Sequence, residues 1–242
     1  MNDKVAIVTG GTGALGRFIV NKFADEGIKV YVPARSTDEF NNVFDTSQDK
    51  ESEYFKLRKI YCKTCDAESE TSVKEFVENV AALEKGKIDI LINTVGGISA
   101  AENVTELSTE ILDKMINLNF KTAFYFTRET AKVMSFNNYG RIVSIGAIAG
   151  TEISPGRFAY SFSKAGVISL MDTISEELKD KNIRCNTLIP GIIDTPANRE
   201  WGSEEDIKNW VKPHEISEVI YEIISDKFSA LRSSRIKLYG SY

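Results

Sequence analysis

VAIVTGGTGALG, residues 5–16, joins a run of apolar, mostly β-branched residues to the start of a helical pattern through four glycines. A continuous apolar run of this length suits a strand covered on both faces. Gly10, Gly11, Gly13 and Gly16 let the chain turn sharply and bring its backbone close to a pyrophosphate. The helix start that follows offers free N–H groups and the positive end of its dipole. Gly11, Gly13 and Gly16 satisfy G-x-G-x-x-G, a weak signal alone. Placed after a first strand and before a helix, it points to a dinucleotide. The cradle is therefore expected over Gly10, Gly11, Thr12, Gly13, Leu15 and Gly16.

Outward from this turn, strand-like and helical patterns alternate. Strand-like runs begin at Lys4, Lys29, Lys59, Ile88, Arg141, Ile183 and Arg235. Helical patterns fill Leu15–Glu26, Glu68–Leu83, Thr109–Met134, Phe158–Lys179 and Glu215–Ser225. Such alternation predicts a Rossmann-like α/β fold: a doubly wound parallel sheet of about seven strands in a three-layer α/β/α sandwich. One domain over residues 1–242 is expected. The polar segment 36–57 reads as a short helix and a surface loop. Residues 194–212 follow a strand and carry Trp201 and Trp210. A long loop with two aromatics of the buried type reads as a substrate lid that packs on something.

The chain has 242 residues, 42% of them hydrophobic, and a formal net charge of −5. Mild acidity argues against nucleic acid or an anionic membrane as partner. No stretch approaches the ~20 apolar residues of a membrane span, and the first residues lack the apolar region of a signal peptide. The three cysteines, Cys62, Cys65 and Cys185, are too few for a disulfide framework, so a reducing cytoplasm is expected. Cys62 and Cys65 form C-x-x-C at a strand end, without the helix N-terminus of a redox pair or the further ligands of a zinc site. The single histidine, His214, follows Pro213 at a helix start and reads as a surface residue. No metal is expected.

Two further features suggest chemistry. The end of the second strand reads Ala34-Arg35-Ser36. An acidic residue there would accept the adenosine ribose hydroxyls of NAD(H). A guanidinium and a hydroxyl suit a 2′-phosphate, which favours NADP(H) over NAD(H). Tyr160 and Lys164 lie four apart on a predicted helix, hence on one face. An ammonium beside a phenol favours the phenolate and brings the group toward acid–base work near neutral pH.

The motifs TGGTGALG from Thr9, NTVG from Asn93, NLNFKTAF from Asn117, GRIVSIGAIAG from Gly140, YSFSK from Tyr160 and NTLIPGIIDTP from Asn186 occur in order. As a set they resemble the short-chain dehydrogenase/reductase family in its compact form, over about Lys4–Gly240. The resemblance implies an NAD(P)(H)-dependent oxidoreductase that forms homodimers or homotetramers. Subunits would meet through the long helices around Thr109–Met134 and Phe158–Lys179. It implies Tyr160 as general acid/base, with Lys164 lowering its pKa and holding the nicotinamide ribose. Asn119 would anchor a helix kink and a proton-relay water. Asp66, with Ala67 beside it, would lie at the adenine, and Asn93 and Gly96 would make strand-end contacts. Pro190, Gly191, Ile193 and Thr195 would cradle the nicotinamide carboxamide.

The sequence departs from the family at one important place. The serine that the family carries thirteen residues before the tyrosine falls on Ala147. Ser144 lies on the preceding strand and is expected to point elsewhere; Ser154 and Ser161 are candidate substitutes. Loss of one such donor costs roughly 10²–10³ in rate. Either the substrate is easy to reduce, or it brings its own polarising group, or turnover is weak. The tail from Asp194 resembles dihydropteridine reductases, which also lack this serine. Three readings follow: a reductase of a small carbonyl such as a ketone or 3-oxoacyl thioester, a reductase of an activated C=N group, and a cofactor-binding protein with little turnover.

Overall fold

The computed structural model describes residues 1, 3–44 and 59–240. The seven expected strands are all present: β1 (Val5–Thr9), β2 (Lys29–Ala34), β3 (Ile60–Thr64), β4 (Ile90–Asn93), β5 (Gly140–Ile145), β6 (Ile183–Pro190) and β7 (Arg235–Leu238). They form one sheet in the order β3-β2-β1-β4-β5-β6-β7, with every pairing parallel. All five residues of β1 are buried, as expected of a strand covered on both faces. Alternation along the strand feeds two cores. Ala6 and Val8 join Val30, Val32, Ile90 and Ile92 on one face. Val5 and Ile7 join Tyr31 and Leu91 on the other.

Helices complete the two outer layers. On the first face lie α1 (Gly16–Asp25) and the helix Pro213–Ile224, which meet through Ile19, Val20, Phe23, Ile216 and Ile220. On the second face, α3 (Glu70–Leu83) buries Val73, Phe76, Val77 and Val80, one stripe of helical period. Its Ser69 N-cap accepts from the Ser72 amide. Between α1 and α3, Thr37–Phe44 forms the short helix α2 expected in the polar segment. The rest of that segment, from residue 45, lies outside the described residues.

The long helical pattern from Thr109 is interrupted. It begins as α4 (Thr109–Met115), passes through a π-helical turn over Ile116–Lys121, and continues as α5 (Thr122–Asn137). Asn138, at φ 51°, closes α5 in the left-handed conformation. Next come α6 (Phe158–Glu177), the short α7 (Pro196–Arg199) and α8 (Glu204–Asn209), and α9 (Pro213–Ile224).

Strand order reverses between β1 and β4, so the loops after these two strands part and leave a crevice at the carboxyl ends of the strands. A clasp ties the ends of the two strands together. Thr94 donates its hydroxyl to the Thr9 carbonyl at 2.6 Å and its amide to the Thr9 hydroxyl at 3.1 Å. The turn after β1 is closed by the Gly13 amide on the Gly10 carbonyl at 2.9 Å. Gly10 has φ 61°, and a Cβ on Gly16 would fall 2.1 Å from the Gly10 carbonyl oxygen. Gly16→Ala is therefore expected to destabilise the protein by about 1–3 kcal/mol, read as a lower urea midpoint at unchanged slope.

Candidate functional site

A cavity of about 1340 Å³ runs along this crevice. At one end it is lined by Gly10, Thr12, Gly13, Leu15, Gly16, Arg35, Asp66 and Ala67. At the other it is lined by Gly96, Ala147, Ser154, Tyr160, Lys164, Pro190, Gly191, Ile193 and Thr195. Among the expected site residues, Gly11, Ser36, Asn93 and Asn119 are not in its lining.

Each of these four has a structural post. A Cβ on Gly11 would meet Val32 at 2.8 Å, so this glycine lets the turn pack onto β2. The Ser36 hydroxyl accepts from the Glu39 amide at 3.0 Å and starts α2. Asn93 ends β4. Its carboxamide is buried and donates to Thr127 and Ser144, both at 3.0 Å, bracing β4 against α5 and β5. Asn119 sits in the π turn, 1% exposed. Its Oδ1 accepts from the Gly97 amide at 2.8 Å, and its Nδ2 donates to the Gly97 carbonyl and to Ser163 Oγ, each at 3.0 Å. Ser163 in turn donates to the Tyr160 carbonyl at 2.7 Å. One carboxamide thus ties the loop after β4 to the turn of α6 that carries Tyr160.

Gly96 is where these parts meet. A Cβ there would lie 2.8 Å from Asn119 Oδ1 and 3.0 Å from Lys164 Nζ. Lys164 is buried and donates to the Ile145 carbonyl at 3.0 Å. Burial pushes its ammonium down to about 8. Burial also pushes the Tyr160 phenol up, partly offset by the positive charge of Arg157. Arg157, a cavity-lining residue that the sequence reading did not single out, thus acts as a cation on the phenol.

The serines near position 147 are placed differently. Ala147 presents its methyl group at the cavity, 8% exposed. Ser144 is buried and committed, accepting from Asn93 and donating to Met171 Sδ at 3.1 Å. The Ser161 hydroxyl is buried without a partner and outside the lining. Of the two candidate substitutes only Ser154 lines the cavity.

At the far end, Glu39 occupies ground that the sequence reading left to Arg35 and Ser36. Its carboxylate accepts from the Thr12 hydroxyl at 2.7 Å and the Arg35 amide at 3.2 Å, and lies 3.6 Å from Arg35 Nε. Asp66 accepts from the Glu68 amide at 3.0 Å, which orders the turn after β3.

Residues 194–212 flank the cavity. Thr195 caps α7 by accepting from the Asn198 amide. Asp194, 6% exposed, is paired with both Arg199 and Lys212, whose positive charges hold its carboxyl well below the usual range. Trp210 is buried against Gly202, with the Trp201 ring tilted against it at 5.1 Å between centroids. Trp201 itself is 63% exposed, so only one of the two indoles is packed in the way the sequence suggested. Burial pushes the Cys65 thiol up to about 11 and Cys185 up to about 12, consistent with structural cysteines. His214 is exposed near the start of α9. No group of metal-ligating side chains occurs among the described residues. No described helix is long and apolar enough to cross a membrane.

The sequence profile described as "short chain dehydrogenase" matches residues 4–206. The chain is a short-chain dehydrogenase. As such it is an NAD(P)-dependent oxidoreductase. This dehydrogenase is 30% identical over 248 residues to the 3-oxoacyl-[acyl-carrier-protein] reductase FabG of Thermotoga maritima, covering 99% of this chain and 98% of that one. It is 33% identical over 207 residues to the 7alpha-hydroxysteroid dehydrogenase of Clostridium sardiniense, covering 85% and 76%. A crystal structure of a single-substitution variant of actinorhodin polyketide ketoreductase with NADPH superposes with a TM-score of 0.86 at 25% identity, covering 99% and 98%.

The depressed Lys164 ammonium has a stability consequence. Its folded pKa of about 8 lies below the ordinary 10.5. Between those values the unfolded chain binds more protons than the dehydrogenase, so this group's contribution to stability rises with pH. Relative to Lys164→Met, the parent is expected to gain stability from pH 8 to 10.5, by up to about 3 kcal/mol. Paired urea titrations across that range measure the difference.

Proposed function

We propose that the protein is an NADP(H)-dependent reductase of a small carbonyl compound, with Tyr160 as the proton donor. The observation that carries this reading is the convergence at Gly96, where Asn119 Oδ1 and Lys164 Nζ approach one backbone position beside the cavity that Tyr160 lines. The cradle fits a dinucleotide: Gly16 leaves no room for a side chain against Gly10, and no side chain caps α1. Residues 10–16 hold the pyrophosphate, and Asp66 and Ala67 flank the adenine. Pro190, Gly191, Ile193 and Thr195 hold the nicotinamide end. When bound, the nicotinamide supplies the hydride that reduces the substrate, or accepts it in reverse.

The chain's own groups handle the proton and the geometry. Tyr160 transfers its phenolic proton to the substrate oxygen. Lys164, once its ammonium faces the phenol, favours the phenolate that remains. Asn119 positions both by fixing Gly97 and, through Ser163, the first turn of α6. Residues 194–212 serve as the substrate lid. Ala147 supplies no hydrogen bond to the substrate oxygen, which favours a readily reduced substrate and keeps the dihydropteridine-reductase-like reading as the second one. The NADPH of the actinorhodin ketoreductase structure supports the cofactor preference, as does Arg35. The exposed rings of Phe136, Phe158 and Phe162 on α5 and α6 support a homo-oligomer.

Cofactor oxidation is to be followed with acetoacetyl thioesters, simple diketones and quinonoid dihydropterin. Turnover confined to dihydropterin would replace the carbonyl reading, and NADPH binding without any turnover would make the protein a cofactor-binding one. Tyr160→Phe is expected to lower turnover by roughly 10²–10⁴ with little change in cofactor Kd; retained turnover overturns the assignment. The Glu39 carboxylate repels a 2′-phosphate near Arg35. Glu39→Gln is thus expected to tighten NADPH binding by roughly three- to tenfold relative to NADH, measured by fluorescence titration.

A further inference from the structure

Three cationic side chains line the cavity: Arg35, Arg157 and Lys164. Arg35 is paired with Glu39, and Lys164 donates to the Ile145 carbonyl. Arg157 differs from both. Its Nη1 donates to the Ser99 carbonyl at 2.7 Å, and among the described residues no carboxylate pairs with it. A guanidinium carries five N–H donors in a planar fork suited to a carboxylate. Arg157 sits at a half-buried position, with Ser99 as its one side-chain hydrogen-bond partner among the described residues.

The backbone holds this cation in place. Gly156 turns the chain at φ 71°, and its carbonyl accepts from the Glu102 amide at 2.9 Å. The Arg157 amide bonds the Ser154 carbonyl at 3.1 Å. Together with the Ser99 contact, these bonds clip the start of α6 to the loop after β4. Arg157 and Tyr160 are three apart at the first turn of α6 and share one side of it. The acidic side chains near this end of the cavity are engaged elsewhere: Glu152 with Lys237, and Asp206 with Ser203. Ala147 offers only a methyl group.

We infer that Arg157 binds a free carboxylate of the substrate, so that the substrate is an oxo acid whose carbonyl lies at Tyr160. This rests on the carbonyl-reductase reading. The carbonyl carbon gains the hydride, its oxygen gains the Tyr160 proton, and the oxo acid becomes a hydroxy acid as the cofactor is oxidised. The carboxylate is unchanged and anchors the substrate.

The test compares acetoacetate with its neutral methyl ester in the parent, Arg157→Gln and Arg157→Lys. The parent is expected to favour the acid by tenfold or more in kcat/KM. Arg157→Gln brings that ratio near one, chiefly through KM, and Arg157→Lys keeps part of it. A second readout needs no turnover. Trp201 and Trp210 line the cavity, so their fluorescence reports binding of malonate, expected to weaken roughly 10- to 100-fold in Arg157→Gln. Equal use of acid and ester by the parent, equal loss of both in Arg157→Gln, or failure of malonate to bind the parent overturns the inference. Loss of malonate binding in Arg157→Gln, with no carbonyl reduced by the parent, upholds the anion site and overturns the reductase reading instead.

Discussion

The hydrogen bonds of the Asn119 carboxamide hold the candidate site together. Both polar atoms are used, on Gly97 from two sides and on Ser163. A buried amide satisfied this way is expensive to disturb, because any partner that moves leaves a donor or acceptor without water. The loop after β4, the π turn and the first turn of α6 are distant in sequence, and this one side chain makes them a single rigid object. Gly96 completes it: only a residue without Cβ leaves the Asn119 oxygen and the Lys164 amine so close to one stretch of backbone.

Electrostatics differ between the two ends of the cavity. Near the glycine turn, the Arg35 guanidinium meets a carboxylate from its own chain, Glu39. Near α6, Tyr160 and Lys164 are each driven toward their neutral forms by burial, while Arg157 acts in the opposite sense on the phenol. Two titratable groups are therefore poised by desolvation, and a charged ligand entering between them would have a large effect on both.

Much of this was legible in the sequence. The seven strands appear where continuous β-branched runs predict them, because burial on both faces of a parallel sheet leaves little choice of residue. Tyr160, Lys164 and most of the glycine turn fall on the cavity because local geometry, helical spacing and glycine torsions fix them. The misreadings involve contacts between segments far apart in the chain. The side-chain partners of Asn93, Thr127 and Ser144, come from other elements and were not read. Glu39 reaches back 27 residues to Thr12, and Arg157 matters through Ser99 and Tyr160. Trp201 read as buried by residue type, yet it is the exposed member of a tilted pair with Trp210. The signal for Arg157 was present as a lone cation one turn before the tyrosine, but spacing alone gives it no partner.

The π turn at Ile116–Lys121 makes the site depend on chain length as well as on side-chain chemistry. A wide turn amounts to one residue inserted in an otherwise regular helix, and it is less favourable than the α-helical path it replaces. Shortening the chain by one residue there would let α4 and α5 run on as one continuous helix, with the sheet and both cores in place. Asn119 would then rotate away from Gly97. Selection for a sturdier scaffold would tend to erase this turn, so the position of Asn119 against Gly97 is held at a local cost in stability.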